Sequence, residues 1–153
     1  MAISRETLEG EAILLETLEA QVVNIETLEG RWDSVKVHNT SIPRGDSREY
    51  RLEVTDENEN VVNITGATIY FTVKSFNSDA DPGAFQLSSA NPAQITIDDG
   101  GNGKARIFVT NTNTQDLDIK RYVYDVQVQP ASGGVKTVVS GTFTITEDIT
   151  RTV

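Results

Sequence analysis

The chain opens on a repeat: MAISRETLEG, EAILLETLEA and QVVNIETLEG are three consecutive units of ten residues, and the pentad ETLEG or ETLEA returns without slippage. Glu6, Thr7, Leu8 and Glu9 match residues 16–19 and 26–29, and apolar residues recur at Ile3, Ile13 and Val23 and at Leu15, Ile25 and Val35. A period of ten sorts the conformations open to it. On an α-helix, at about 100° per residue, ten residues advance the chain by roughly 1000°, so equivalent leucines drift about 80° per unit and leave a common face. On a strand an even period keeps them on one side. Against this, Leu8, Leu15, Leu18, Val22, Ile25 and Trp32 fall on a 3-4 seam that suits a short parallel coiled coil, interrupted by Glu11 and Glu29. The period favours the extended or β form, with the coiled coil open beside it.

Both forms share a consequence. An arm of this composition cannot bury its Leu, Ile and Val alone, so it is expected to pack on copies of itself, as a homotrimer, or on a partner. The residues expected to carry oligomerisation or anchoring are Leu8, Leu15, Leu18, Val22, Ile25, Leu28 and Trp32. The plainer alternative is that the arm folds back on its own domain.

From Trp32 onward the texture changes to short alternating segments split by Gly, Asn, Asp and Pro, the pattern of an all-β sandwich. Residues 1–32 are therefore read as a repeat arm and residues 33–153 as a seven-stranded antiparallel β-sandwich of immunoglobulin-like type, a mainly β fold. The seven strands are expected near residues 34–39, 48–56, 67–76, 93–98, 104–110, 121–129 and 135–146. Alternation picks the inward face: Tyr50, Leu52 and Val54; Ala67, Ile69, Phe71 and Val73; Ile95 and Ile97; Ala105, Ile107 and Val109; Tyr122, Tyr124, Val126 and Val128; Phe143 and Ile145. Residues 56–60, 98–103 and 132–134 supply the Asn, Asp and Gly of tight turns. Tyr122 is placed to fold its hydroxyl back on the preceding backbone as a tyrosine corner.

The totals narrow the function classes. At 153 residues there is material for one core plus an appendage. A net charge of −10 argues against a nucleic-acid partner, because binding a phosphate backbone needs Lys and Arg gathered on one face. The absence of cysteine removes disulfides, thiolate metal sites and cysteine nucleophiles together. Glu6, Glu9, Glu11, Glu16 and Glu19 make the first twenty residues neither a signal peptide nor a membrane span, so no membrane partner is expected.

Catalytic and ligand motifs are incomplete wherever one begins. His38 is the sole histidine and no G-x-S-x-G accompanies it, which leaves it a strand-edge residue rather than a catalytic base and excludes histidine clusters for metal. The acidic turns at residues 56–60 and 98–99 lack the spacing of a calcium loop, and residues 100–103 (GGNG) lack the lysine of a phosphate loop. Arg44-Gly45-Asp46 spells the integrin tripeptide but is taken as structural, and the sequons at Asn39 and Asn63 read as chance. No enzyme activity, cofactor or metal is expected.

The run IPRGDSREYRLEVTDENENVVNITGATIYFTVK, then AQITIDDGGNGKARIFVTNTNTQDL, then RYVYDVQVQPASGGVKTVVSGTFTITEDITR, resembles the N-terminal module of phage baseplate upper proteins and related small phage virion proteins. Its most telling pieces are Gly45-Asp46, Thr65-Gly66-Ala67, Tyr124-Asp125-Val126-Gln127-Val128 and residues 141–149, and it covers about residues 36–151. The resemblance implies an immunoglobulin-like domain built into a bacteriophage particle; the decad arm is not part of the family pattern. A short arm before one such domain fits a capsid decoration or cement protein, or a head fibre, on the virion surface, with the major capsid protein or another virion protein as partner. The alternatives are a tail baseplate or tail-fibre adaptor component, and a host-surface glycan-binding adhesion module.

Overall fold

The structure is a computed structural model and describes residues 25–149. Ten strands run along these residues: β1 (Ile25–Arg31), β2 (Lys36–Val37), β3 (Thr40–Pro43), β4 (Arg48–Thr55), β5 (Thr68–Lys74), β6 (Phe85–Ser88), β7 (Ile95–Asp99), β8 (Lys104–Val109), β9 (Arg121–Gln129) and β10 (Lys136–Thr146), with one helical turn, α1 (Asn111–Thr114), between β8 and β9. They form two sheets. The smaller is ordered β1-β4-β8-β7; the larger is ordered β2-β10-β9-β5-β6, with β3 also paired to β10.

Alternation makes the sandwich. In β9, RYVYDVQVQ, the residues Tyr122, Tyr124, Val126 and Val128 are buried while Val123, Asp125 and Gln127 face outward. β4 and β8 repeat the pattern with Tyr50, Leu52 and Val54 against Ala105, Ile107 and Val109. Every residue assigned inward from the sequence is buried except Ile97, which packs on the core from a half-buried position. Phe71 stands at the centre, its ring centroid 5.7 Å from Tyr50, 5.3 Å from Tyr124 and 6.1 Å from Phe143. Since Tyr50 belongs to the smaller sheet and the others to the larger, these rings tie the two layers together.

The structure corrects the sequence reading in three respects. Among the described residues there are ten strands rather than seven: β3 and β6 are additional, the first expected strand is reduced to β2, and β1 lies inside the supposed arm. The sheets are mixed rather than wholly antiparallel, because β1 runs parallel to β4 and both β2 and β3 run parallel to β10. The boundary drawn after Trp32 is crossed by the sandwich, which includes Ile25–Arg31.

Two local devices place these strands. The break between β2 and β3 falls at His38-Asn39, where β10 passes so close that a Cβ on Gly141 would collide with the His38 carbonyl oxygen. Asn39 Oδ1 accepts from the Thr142 N–H at 3.0 Å, and Tyr124 donates its hydroxyl to the His38 carbonyl at 2.7 Å. A register shift between Thr137 and Val139 buries both Val138 and Val139, which a regular strand would send to opposite faces.

Candidate functional site

The repeat meets the domain at β1, and the seat of that strand is the candidate site. β1 pairs with β4 from Ile25 opposite Glu49 to Arg31 opposite Thr55. Along it, Glu26, Leu28 and Gly30 lie toward the inside and Thr27 and Glu29 are exposed. Leu28 is fully buried among core residues, a burial that contributes about 2 kcal/mol. Gly30 lies under Val138, where an added Cβ would stand 3.0 Å from its Cγ2. Arg31 Nη1 donates to the Asp56 carbonyl at 2.8 Å, and the Trp32 N–H donates to the Thr55 carbonyl at 2.8 Å.

At the start of β1 a polar cluster closes the edge of the sandwich. Glu26 accepts from His38 Nε2 at 2.5 Å and from Arg48 Nη1 at 3.3 Å, and Arg48 also donates to the Ser41 carbonyl at 2.6 Å. Just inside, the Tyr50 hydroxyl and Thr40 Oγ1 are 3.1 Å apart, and burial pushes both the Tyr50 and Tyr124 hydroxyls above the usual tyrosine range. His38 is thus bound to a carboxylate of the repeat, in a partly exposed position between two short strands. The cluster is arranged to hold a carboxylate in place.

The expected anchoring residues divide. Leu8, Leu15, Leu18 and Val22 lie outside the described residues. Leu28 belongs to the core of its own domain, Trp32 is half-buried against that core with Lys136 Nζ 5.9 Å above its ring, and Ile25 is half-buried. For residues 25–31 the plainer alternative, an arm folded back on its own domain, is the one observed. The Glu26, His38 and Arg48 cluster lies beyond the sequence reading, since its members are apart in the chain and the repeat that contains Glu26 includes neither His38 nor Arg48.

The Arg44-Gly45-Asp46 turn is held from within. Arg44 pairs with Asp148, Gly45 adopts φ 85° and gives its N–H to Thr114 Oγ1 at 3.0 Å, and the buried Thr114 donates to the Asp46 carbonyl at 2.9 Å. The tyrosine corner is present: the Tyr122 hydroxyl accepts from the Asp118 N–H at 3.0 Å and approaches the Asp118 carbonyl at 3.3 Å.

A second feature is a groove of about 530 Å³ on the outer face of the larger sheet. Thr72, Asp125, Gln127, Thr137 and Ser140 line it, beside the Lys74–Asp81 ion pair at 2.8 Å and Val35. Burial pushes the Asp125 carboxyl up, while the hydrogen bond and charge of Lys74 hold Asp81 below the usual carboxylate range. Its one aromatic lining residue, Tyr124, is buried and offers no exposed ring for a sugar to stack on. Among the described residues no group of three or more His, Cys, Asp or Glu is arranged to hold a metal, and no helix is long and apolar enough to cross a membrane.

No protein-family model matches the sequence, and no curated protein matches it. Among solved structures the fold is similar to one described as the N-terminal domain of phage TP901-1 ORF48, with a TM-score of 0.54 and 12% identity, over 81% of this chain and 99% of the other. At that identity the likeness establishes a shared fold.

Proposed function

We propose that the chain is a structural component of a bacteriophage particle, in which the sandwich is displayed and the repeats serve assembly, most simply as a decoration or cement protein on the capsid surface. One observation carries the reading: the third repeat is an edge strand of the sandwich, while two further copies of its ETLE core precede it in the sequence. A domain that uses one repeat as a strand has segments of matching pattern left for its neighbours. The likeness to a phage protein domain supports the particle setting.

Position of the cut matters in the test. Removing residues 1–30 would take away most of β1 and its buried Leu28, so the truncation must stop at residue 24. The shortened protein should keep its β circular dichroism but lose both incorporation into heads and self-association. Normal incorporation would refute the proposal.

A second reading places the protein in the tail, as a baseplate or fibre-adaptor component. It is favoured by the resemblance of residues 36–151 to the N-terminal modules of baseplate upper proteins. Mass spectrometry of separated heads and tails decides between them, since each reading puts the protein in one fraction only. Host-glycan adhesion would have to use the polar groove, which lacks an exposed ring, and stands behind both.

A further inference from the structure

We propose that the seat of β1 recognises the repeat rather than one particular copy of it, so that a repeat donated by a second copy of this chain can take the seat and link the two molecules by an exchanged strand. This deepens the assembly reading above and rests on it for its setting. The two fail separately: exchange in solution without incorporation into particles leaves the inference standing, and incorporation without exchange leaves the reading standing.

The seat reads few features, and the repeats share most of them. Pairing to β4 is through backbone and indifferent to side chains. On the inner side the seat takes a carboxylate, bound by His38 and Arg48, then a leucine in the core, then a residue without room for a side chain. In the third repeat these are Glu26, Leu28 and Gly30; in the second, Glu16, Leu18 and Ala20; in the first, Glu6, Leu8 and Gly10. The outward residues Thr27 and Glu29 are likewise Thr and Glu in every repeat.

The differences rank the occupants without excluding any. Ala20 would set its Cβ 3.0 Å from Val138 Cγ2, a contact that asks Val138 to give by a few tenths of an ångström, and Gln21 stands where the third repeat has Arg31. Gly10 avoids the clash, but Arg5 replaces Ile25 and Glu11 replaces Arg31, whose guanidinium binds the Asp56 carbonyl. The third repeat also enjoys a short tether, since residues 32–35 lead directly into β2. Within one dilute molecule it therefore wins the seat. Between copies held close together the tether counts for less, and a donor one repeat upstream gains about 33 Å of reach in extended form. Exchange of a closely similar element between copies costs little, because the incoming strand restores the backbone ladder to β4 and puts a leucine back into the core.

The absence of cysteine allows a direct test on the full chain. Thr27 and Arg51 are opposed in register and both exposed, so Thr27→Cys with Arg51→Cys should close a disulfide within one chain. A chain carrying Thr17→Cys is then mixed with one carrying Arg51→Cys in a thiol redox buffer. The expected result is a covalent heterodimer whose yield climbs with protein concentration and increases about fivefold when the donor also carries Ala20→Gly. A heterodimer yield no greater than that from a donor with Ser132→Cys on an exposed turn would overturn the proposal, as would a chain carrying both Thr17→Cys and Arg51→Cys that closes only within itself at every protein concentration. Amide hydrogen exchange of the unmodified protein reads the same event without cysteines. Protection should shift from residues 25–31 toward residues 15–21 as concentration rises, and protection independent of concentration overturns the inference.

Discussion

Leu28 and Asp125 show how far a residue's setting can depart from its class. Leu28 is one of three equivalent leucines in a repeat that reads as an external arm, yet it is fully buried inside its own domain. Leu28→Ala should destabilise the sandwich by about 2–5 kcal/mol in urea unfolding. That loss should be largest in dilute solution, where the altered third repeat of the same molecule occupies the seat. Asp125 is the opposite case, a carboxylate on an outward position that neighbouring segments partly bury. Its folded pKa is raised above the ordinary 3.8, so ionisation costs stability above the folded value. Asp125→Asn should raise the melting temperature at neutral pH. The gain should shrink as pH falls through the folded value toward 3.8, where the native acid becomes protonated and the two proteins converge. A variant melting below the parent at pH 7 would show that the attraction of Lys74 outweighs burial.

At the scale of elements, the close passage of β10 over the β2–β3 break is the most exacting junction. Gly141→Ala should cost about 2–3 kcal/mol in chemical unfolding, because backbone rather than a flexible side chain stands in the way. The same junction explains part of what is illegible in the sequence. Residues 34–39 carry a strand signal, but nothing local announces that the strand breaks at His38-Asn39 and resumes at Thr40, since the cause is a neighbour far along the chain. β6 escapes notice for its length: Phe85-Gln86-Leu87-Ser88 alternates properly and buries Phe85 and Leu87, but four residues after Pro82-Gly83 read as loop. β1 is masked because the repeat itself is the stronger signal, although its even period does favour extended structure and residues 25–31 adopt it. What can be read well is whatever depends on near neighbours: the alternation of β4, β5, β8 and β9 and the Tyr122 corner. The Glu26, His38 and Arg48 cluster depends on the assembled fold and has no local trace.

For the molecule as a whole, acid titration sums opposing contributions. Asp56, held low chiefly by the Asn60 N–H, and Asp81, held low by Lys74, stabilise the native state above pH 3.8 and withdraw that support as pH falls through their folded values. Asp125 acts in the opposite direction over a higher window. Asp81 is well exposed and Asp56 partly so, which leaves their share modest and screened by salt.

The parallel run of β1 along β4 also has a mechanical meaning. Any load carried by residues upstream of Ile25, and directed along the strand, draws β1 lengthwise past β4. The ladder bonds from Ile25 to Arg31 then bear force together, in shear, instead of opening one after another like a zip. Leu28 in its core socket and Glu26 against Arg48 add friction along the same line. A domain loaded through its first strand in this way resists a lengthwise pull far better than a peeling one.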